Sequence, residues 1–234
     1  LKYTLLILLI LVIIFSFLYY PFSSEAKNIQ RISDTINLRR NLESIIITPD
    51  YRNHKNIDIL DTVAERIRQE FLRHSKRVSV QAYKVEGKSY KNIIASFGPE
   101  AGKRIIVGAH YDVCGDQDGA DDNASGVAGV LELAKLLKDQ ELKYRIDLVA
   151  YTLEEPPYFN TKKMGSYIHA KSLHDDNIPV KGMISLEMIG YYSEEKGSQT
   201  YPIGLMKLIY GDKGNFITIV QKSICGDFAK EFKK

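Results

Sequence analysis

The sequence predicts an α/β fold, a three-layer α/β/α sandwich around a mixed, mainly parallel central sheet. Three observations predict it. The apolar runs RIIVGAHYD at 104–112 and RIDLVAYTLE at 145–154 are nearly continuous, as in strands buried on both faces. The helix-patterned GVAGVLELAKLLK at 126–138 lies between them, making a βαβ unit with a parallel pair. Amphipathic helical patterns at 28–46 and 57–74 then supply an outer layer.

Residues 5–20, LLILLILVIIFSFLYY, carry no charge and sit between Lys2 and PFSSEAKN. As a helix they span about 24 Å, short of the ~30 Å hydrocarbon core of a bilayer. The segment reads as an export signal in one of two forms. One is a secretory signal peptide cleaved near Ser24 and Ala26, leaving residues 1–26 behind. The other is an uncleaved transmembrane signal anchor with Tyr19, Tyr20 and Phe22 at the membrane interface, which would make the membrane a partner. Either form puts residues 27–234 outside the cytoplasm, in a periplasmic or extracellular setting. The first residue is Leu rather than Met, which points to a late or unusual start.

In the helix at 57–74, Ile57, Ile59, Leu60, Val63, Ile67 and Phe71 recur at helical spacing, with Asp61, Glu65, Arg66 and Arg68 between them. Strands are expected at 78–85, 91–97, 104–112 and 145–154. A helix over 164–174 leads to a strand at 180–192, and FITIV at 216–220 forms the last strand. The 234 residues suffice for one core. Thirty-two basic and 29 acidic residues give a net charge of +3 with no basic stripe, which sets nucleic acid aside as a partner. Cys114 and Cys225 are too few for a disulfide framework, although one bridge stays open.

In open α/β sheets the ligand site lies at the carboxyl ends of the strands. Three strand ends here carry the acids and the imidazole. They are His110-Tyr111-Asp112, with the loop Gly119 to Gly126 after it, then Glu154-Glu155-Pro156-Pro157, and Glu187 between Leu186 and Met188. Most pieces have a plain reading when taken singly. His-x-Asp suits a surface pair, Asn123 or Ser125 suits a helix N-cap, and Glu-Glu-Pro-Pro suits a solvated turn. Glu187 in an apolar strand does not, because a buried carboxylate needs a partner. Together they match the demands of zinc, which takes imidazole nitrogen and carboxylate oxygen and offsets the repulsion among its acidic ligands.

GAHYD (108–112), GADDNASG (119–126) and LEEPP (153–157), in this order, resemble the zinc-dependent exopeptidases of metallopeptidase family 28, among them bacterial leucyl aminopeptidases. The resemblance runs from about residue 30 to the end. It implies a zinc-exopeptidase form of the sandwich holding two zinc ions. His110 would ligate one ion, with Asp112 orienting its imidazole. Asp121 would bridge the two ions, and Glu155 would ligate the second. Glu187 falls where many members place an Asp on the His110 ion. Glu154 would be the general base, taking a proton from a zinc-acidified water and passing it to the leaving amine.

The implied activity is aminopeptidase hydrolysis, with peptides as substrates. Glu154 and Glu155 can share a site only if the strand ends between them, which Pro156 and Pro157 favour. Members of the family add one more histidine downstream of the Glu187 strand, but none follows His174 here. His169 and His174 read as helix-surface residues, so the peptidase domain at 27–234 is expected to lack its C-terminal part. Two alternatives stay open. One is a glutaminyl cyclase-like enzyme with a single zinc, the other a non-catalytic membrane-anchored binding domain on the same fold. Cys114 reads as a free or packed thiol. Tyr158, Phe159, Tyr191 and Tyr192 are candidates for lining a substrate pocket, with core packing expected for at least two.

Overall fold

A computed structural model describes residues 33–201, 203–221 and 228. The chain divides into two units between Ile32 and Ser33. The first unit, with the whole export segment at 1–26, lies outside the described residues, as does Cys225. The transmembrane expectation falls on that segment and so lies outside the described residues; among the described residues no helix is long and apolar enough to cross a membrane.

The described elements are α1 (Thr35–Ile46), α2 (Ile57–Leu72), β1 (Val78–Val85), β2 (Lys88–Phe97), β3 (Arg104–His110), a π-type turn (Ala120–Ser125) running into α3 (Gly126–Leu137), β4 (Arg145–Tyr151), α4 (Gly165–Asp175), β5 (Val180–Ser185) and a short α5 (Met206–Tyr210). The first helix begins where Asp34 caps it, accepting from the Ile36 and Asn37 amides. Buried Glu132 on α3 then docks that end, accepting from the Asp34 amide at 2.8 Å and the Asn37 side chain at 2.6 Å.

The sheet order is β1-β2-β4-β3-β5. The βαβ unit is present, with β3 and β4 parallel on either side of α3, and β5 joins β3 in parallel. The expectation of a mainly parallel sheet is overturned. The β1–β2 and β2–β4 pairings are antiparallel, so only two of the four pairings run parallel. For β1–β2 the cause is local: the strands are joined by Glu86-Gly87 alone, both at positive φ (52° and 81°), and a two-residue hairpin allows only antiparallel pairing.

Successive residues of the central strands face opposite sides. Ile93, Ala95, Val107, Ala109, Leu148 and Ala150 pack with Ile45, Leu60, Val63, Ile67 and Phe71 of α1 and α2 and Val127, Val130 and Leu131 of α3. Their neighbours Ile106, Val149 and Tyr151 pack on the other face with Leu173 of α4 and with Ile94 and Ile178. This two-sided burial explains the unbroken apolar runs of β3 and β4.

Strand ends fall short of expectation. Of the predicted 180–192 strand only Val180–Ser185 forms, and residues 216–220 form no strand; Phe216, Ile217, Ile219 and Val220 stand exposed. The fourth strand stops at Tyr151 rather than residue 154, because Leu153 adopts a left-handed φ of 61° that ends the pleat.

Candidate metal centre

His110 is the last residue of β3 and is only 7% exposed. Its Nδ1 lies 3.1 Å from the Asp112 carbonyl oxygen and 3.6 Å from the Asp112 carboxylate. That leaves Nε2 facing three carboxylates, with Asp122 at 3.3 Å, Glu187 at 3.6 Å and Glu155 at 3.9 Å. One ligand atom each from His110, Asp122 and Glu187 lies within 4.8 Å of the others. Asp122 Oδ1 is buried without a hydrogen-bond partner.

Such a cluster calls for positive charge. Burial opposes a charged imidazole, yet the Asp112 and Glu187 carboxylates prevail and push His110 up to about 11. Glu155 is pushed up to about 7, first by burial and then by Asp122. An imidazole with its far nitrogen fixed, an orphaned carboxylate oxygen and a third acid close by are the donor set and supporting contact of a zinc site. The residues present fit a zinc ion.

The loop before α3 builds this arrangement by dividing its side chains. Asp121 Oδ1 accepts from the Gly190 amide at 2.8 Å and from the Ser125 hydroxyl at 3.1 Å. Asn123, wholly buried, donates to the Leu186 carbonyl at 2.8 Å and to the Glu187 carboxylate at 3.1 Å, and accepts from the Met188 amide at 3.3 Å. The Ser125 hydroxyl accepts from the Ile189 amide at 3.1 Å. Asp121, Asn123 and Ser125 thus hold the segment after β5 and present Glu187. Asp122 alone turns to His110, its backbone leaving helical geometry at φ −99°, ψ 94°.

The glutamate pair sits in the loop after β4. Asp112, 1% exposed, accepts from the Glu154 amide at 3.2 Å and from the Glu155 amide at 3.1 Å. Glu154 turns to the start of α4, where the Ser166 amide and hydroxyl each donate to one of its oxygens at 2.7 Å. Burial raises the Glu154 carboxyl while the two Ser166 contacts pull it down. Buried Asn92 on β2 secures both ends of this loop, donating to the Gly165 carbonyl at 2.8 Å and accepting from the Thr152 amide at 3.3 Å. Position 165 has to be glycine, because a Cβ there would strike Asn92 Oδ1 and the Thr152 carbonyl.

Of the residues expected here, the structure brings together His110, Asp112, Glu155 and Glu187 and places Glu154 beside them. Asp121 is not brought in, and Asp122 stands where it was expected. The motif shows two adjacent acids, and only the hydrogen bonds of the first tell them apart. Sequence reasoning also missed Asn123 as the holder of Glu187, and Asn92 and Ser166, which no motif marks. His169 is corrected from surface to core, being 3% exposed with Nδ1 3.0 Å from the Tyr151 hydroxyl. Cys114 is an exposed free thiol. Of the four candidate lining aromatics only Tyr158 packs in the core, while Phe159, Tyr191 and Tyr192 are exposed.

The chain is 44% identical over 210 residues to the uncharacterized protein YfbL of Escherichia coli (strain K12), covering 86% of this chain and 64% of that protein. It is 26% identical over 182 residues to aminopeptidase YwaD of Bacillus subtilis (strain 168), covering 76% of this chain and 39% of that protein. The chain therefore spans less than two thirds of the length of these relatives. Its fold is similar to that of LapB from Legionella pneumophila, with a TM-score of 0.58 at 23% identity over 71% of this chain and 46% of that one. It is equally similar to Bacteroides thetaiotaomicron glutaminyl cyclase, with a TM-score of 0.58 at 22% identity over 72% of this chain and 65% of that one. The model for Peptidase family M28 matches residues 92–222, a stretch that holds His110, Asp122, Glu154, Glu155 and Glu187, and on that match the chain belongs to family M28.

Proposed function

We propose that the chain carries the metal cradle and general base of an exported zinc-dependent aminopeptidase that removes N-terminal residues from peptides. The convergence of His110, Asp122 and Glu187 on one point carries the reading. A zinc ion held there supplies Lewis-acid polarisation of a carbonyl and acidifies water. Asp112 keeps His110 Nε2 turned inward. Glu154, partly desolvated and fixed by Ser166, accepts the proton of the attacking water and returns it to the departing amine. Glu155, beside Asp122, is the residue that together with Asp122 would hold a second ion. The aminopeptidase reading draws support from the likeness to YwaD, and the export reading from residues 5–20.

The glutaminyl cyclase-like alternative shares the fold, so the test is an activity comparison on the purified, zinc-loaded protein. Release of an amino acid from an N-terminal anilide, abolished in Glu154→Gln with zinc content kept, is the expected result. Cyclisation of a glutaminyl peptide without anilide release would replace the aminopeptidase by a cyclase. Neither reaction with zinc bound would leave a non-catalytic binding domain.

A further inference from the structure

Arg52 lies between α1 and α2, more than 50 residues before the first of these motifs in sequence, and is among the largest fully buried side chains, at 1% exposure. Its guanidinium is spent on backbone. Nε donates to the Tyr111 carbonyl at 2.8 Å, one terminal nitrogen to the Asp118 carbonyl at 2.5 Å and the other to the Gly119 carbonyl at 3.0 Å. Its own carbonyl accepts from the Val113 amide at 3.1 Å.

These partners are the two arms of one loop. Tyr111 stands between His110 and Asp112. Gly119, at a left-handed φ of 57°, opens the turn that delivers Asp122, and its carbonyl also accepts from the Ala124 amide at 3.2 Å. A Cβ at position 119 would collide with Val113 and with the Asp122 carbonyl and would press on the guanidinium, so the turn and the arginine are fitted to each other. The cation also lies in the field of Asp112, Asp118 and Asp122, which favour its charge against the cost of burial. A core residue meant only for packing would not be an arginine bonded to three carbonyls of the segment joining two metal ligands.

We propose that Arg52 is the positioning residue of the metal cradle, clamping the 111–119 loop so that Asp122 meets His110, and supplying fixed positive charge behind the carboxylates. The inference rests on the zinc reading of His110, Asp122 and Glu187.

The test uses the full chain as wild type, Arg52→Met, Arg52→Lys and Leu148→Ala, the last a core truncation in β4 that leaves every hydrogen bond of Arg52 in place. Zinc affinity is measured by competition with a chromophoric chelator, ligand geometry by the visible spectrum of the cobalt-substituted protein, and stability by urea unfolding. Arg52→Met should weaken zinc binding by roughly 10–100-fold, as losses of outer-shell support do, and alter the cobalt spectrum. Arg52→Lys should fall between it and wild type, since an ammonium keeps the charge but not the three-way fork. Leu148→Ala should lose stability with zinc affinity and spectrum intact.

Wild-type zinc affinity and cobalt spectrum in folded Arg52→Met would overturn the proposal. If Arg52→Met does not fold, the same result in Arg52→Lys would overturn it. So would an equal loss of zinc in Leu148→Ala, which would reduce the effect to stability. Failure of the wild type to bind zinc would overturn the metal reading itself, whereas the other outcomes leave that reading standing.

Discussion

Asp121 and Asp122 are adjacent, chemically identical and given opposite tasks. The first spends an oxygen on the Gly190 amide and the Ser125 hydroxyl, and the second leaves an oxygen unpartnered before His110. Asp122→Ala is therefore expected to weaken zinc binding by more than about 100-fold, beyond the usual effect of an outer-shell change. Asp121→Ala should cost about 1–2 kcal/mol of stability through its lost hydrogen bonds, with zinc binding reduced far less. Isothermal titration with zinc and urea unfolding on both variants check this, and a larger zinc loss in Asp121→Ala would reverse the assignment. His110, Asp112, Glu155 and Glu187 were legible because each follows an apolar strand, where polar residues stand out. The choice between two neighbouring aspartates was not, because it is made by backbone amides of a segment more than 60 residues away.

Secondary structure was legible where burial has a period, and illegible where the chain leaves a strand without changing its composition. The apolar character of β4 continues through Leu153, wholly buried, yet the left-handed turn there has already ended the strand and freed Glu154 and Glu155 for the site. The start of this strand holds a feature that apolar periodicity hides. Asp147 is wholly buried and accepts from the Ser96 hydroxyl at 2.6 Å, Arg104 at 2.9 Å and Arg145 at 2.8 Å, joining β2, β3 and β4. Burial works against the charge, but these partners prevail and hold the carboxyl below its usual range. Removing one member of a buried ionic network leaves the others unpaired, so Asp147→Ala should cost about 3–5 kcal/mol. Asp34→Ala, at a solvated helix cap, should cost much less. Urea midpoints compared across wild type and the two variants read the difference, and equal midpoints for the two variants would show that the network contributes nothing beyond a surface contact.

At the scale of the whole molecule the layered α/β architecture was legible because strands buried on both faces need helices on both sides. The strand directions were not, since an apolar run reads the same whichever way it points and the two-residue hairpin after β1 lies in a polar stretch. The two faces are also covered unequally, with α1, α2 and α3 on one side and α4 on the other. His169 lies on the α4 side, against the Tyr151 hydroxyl. Burial, aided by Arg104 and opposed by Asp147, lowers its imidazole from 6.5 to about 4. In the folded protein it stays neutral over a range where the unfolded chain takes up a proton. Its contribution to stability is accordingly present above about pH 6.5 and is lost as pH falls towards 4. Between about pH 7.5 and about pH 5 the loss should reach about 2 kcal/mol. In His169→Gln this titration is absent while the remaining groups are shared, so the stability gap between wild type and variant should shrink by that amount over the same interval. Urea unfolding of the two proteins at both pH values, under identical metal conditions, measures the gap, and a gap that does not change with pH would mean that the imidazole is not held neutral beneath α4.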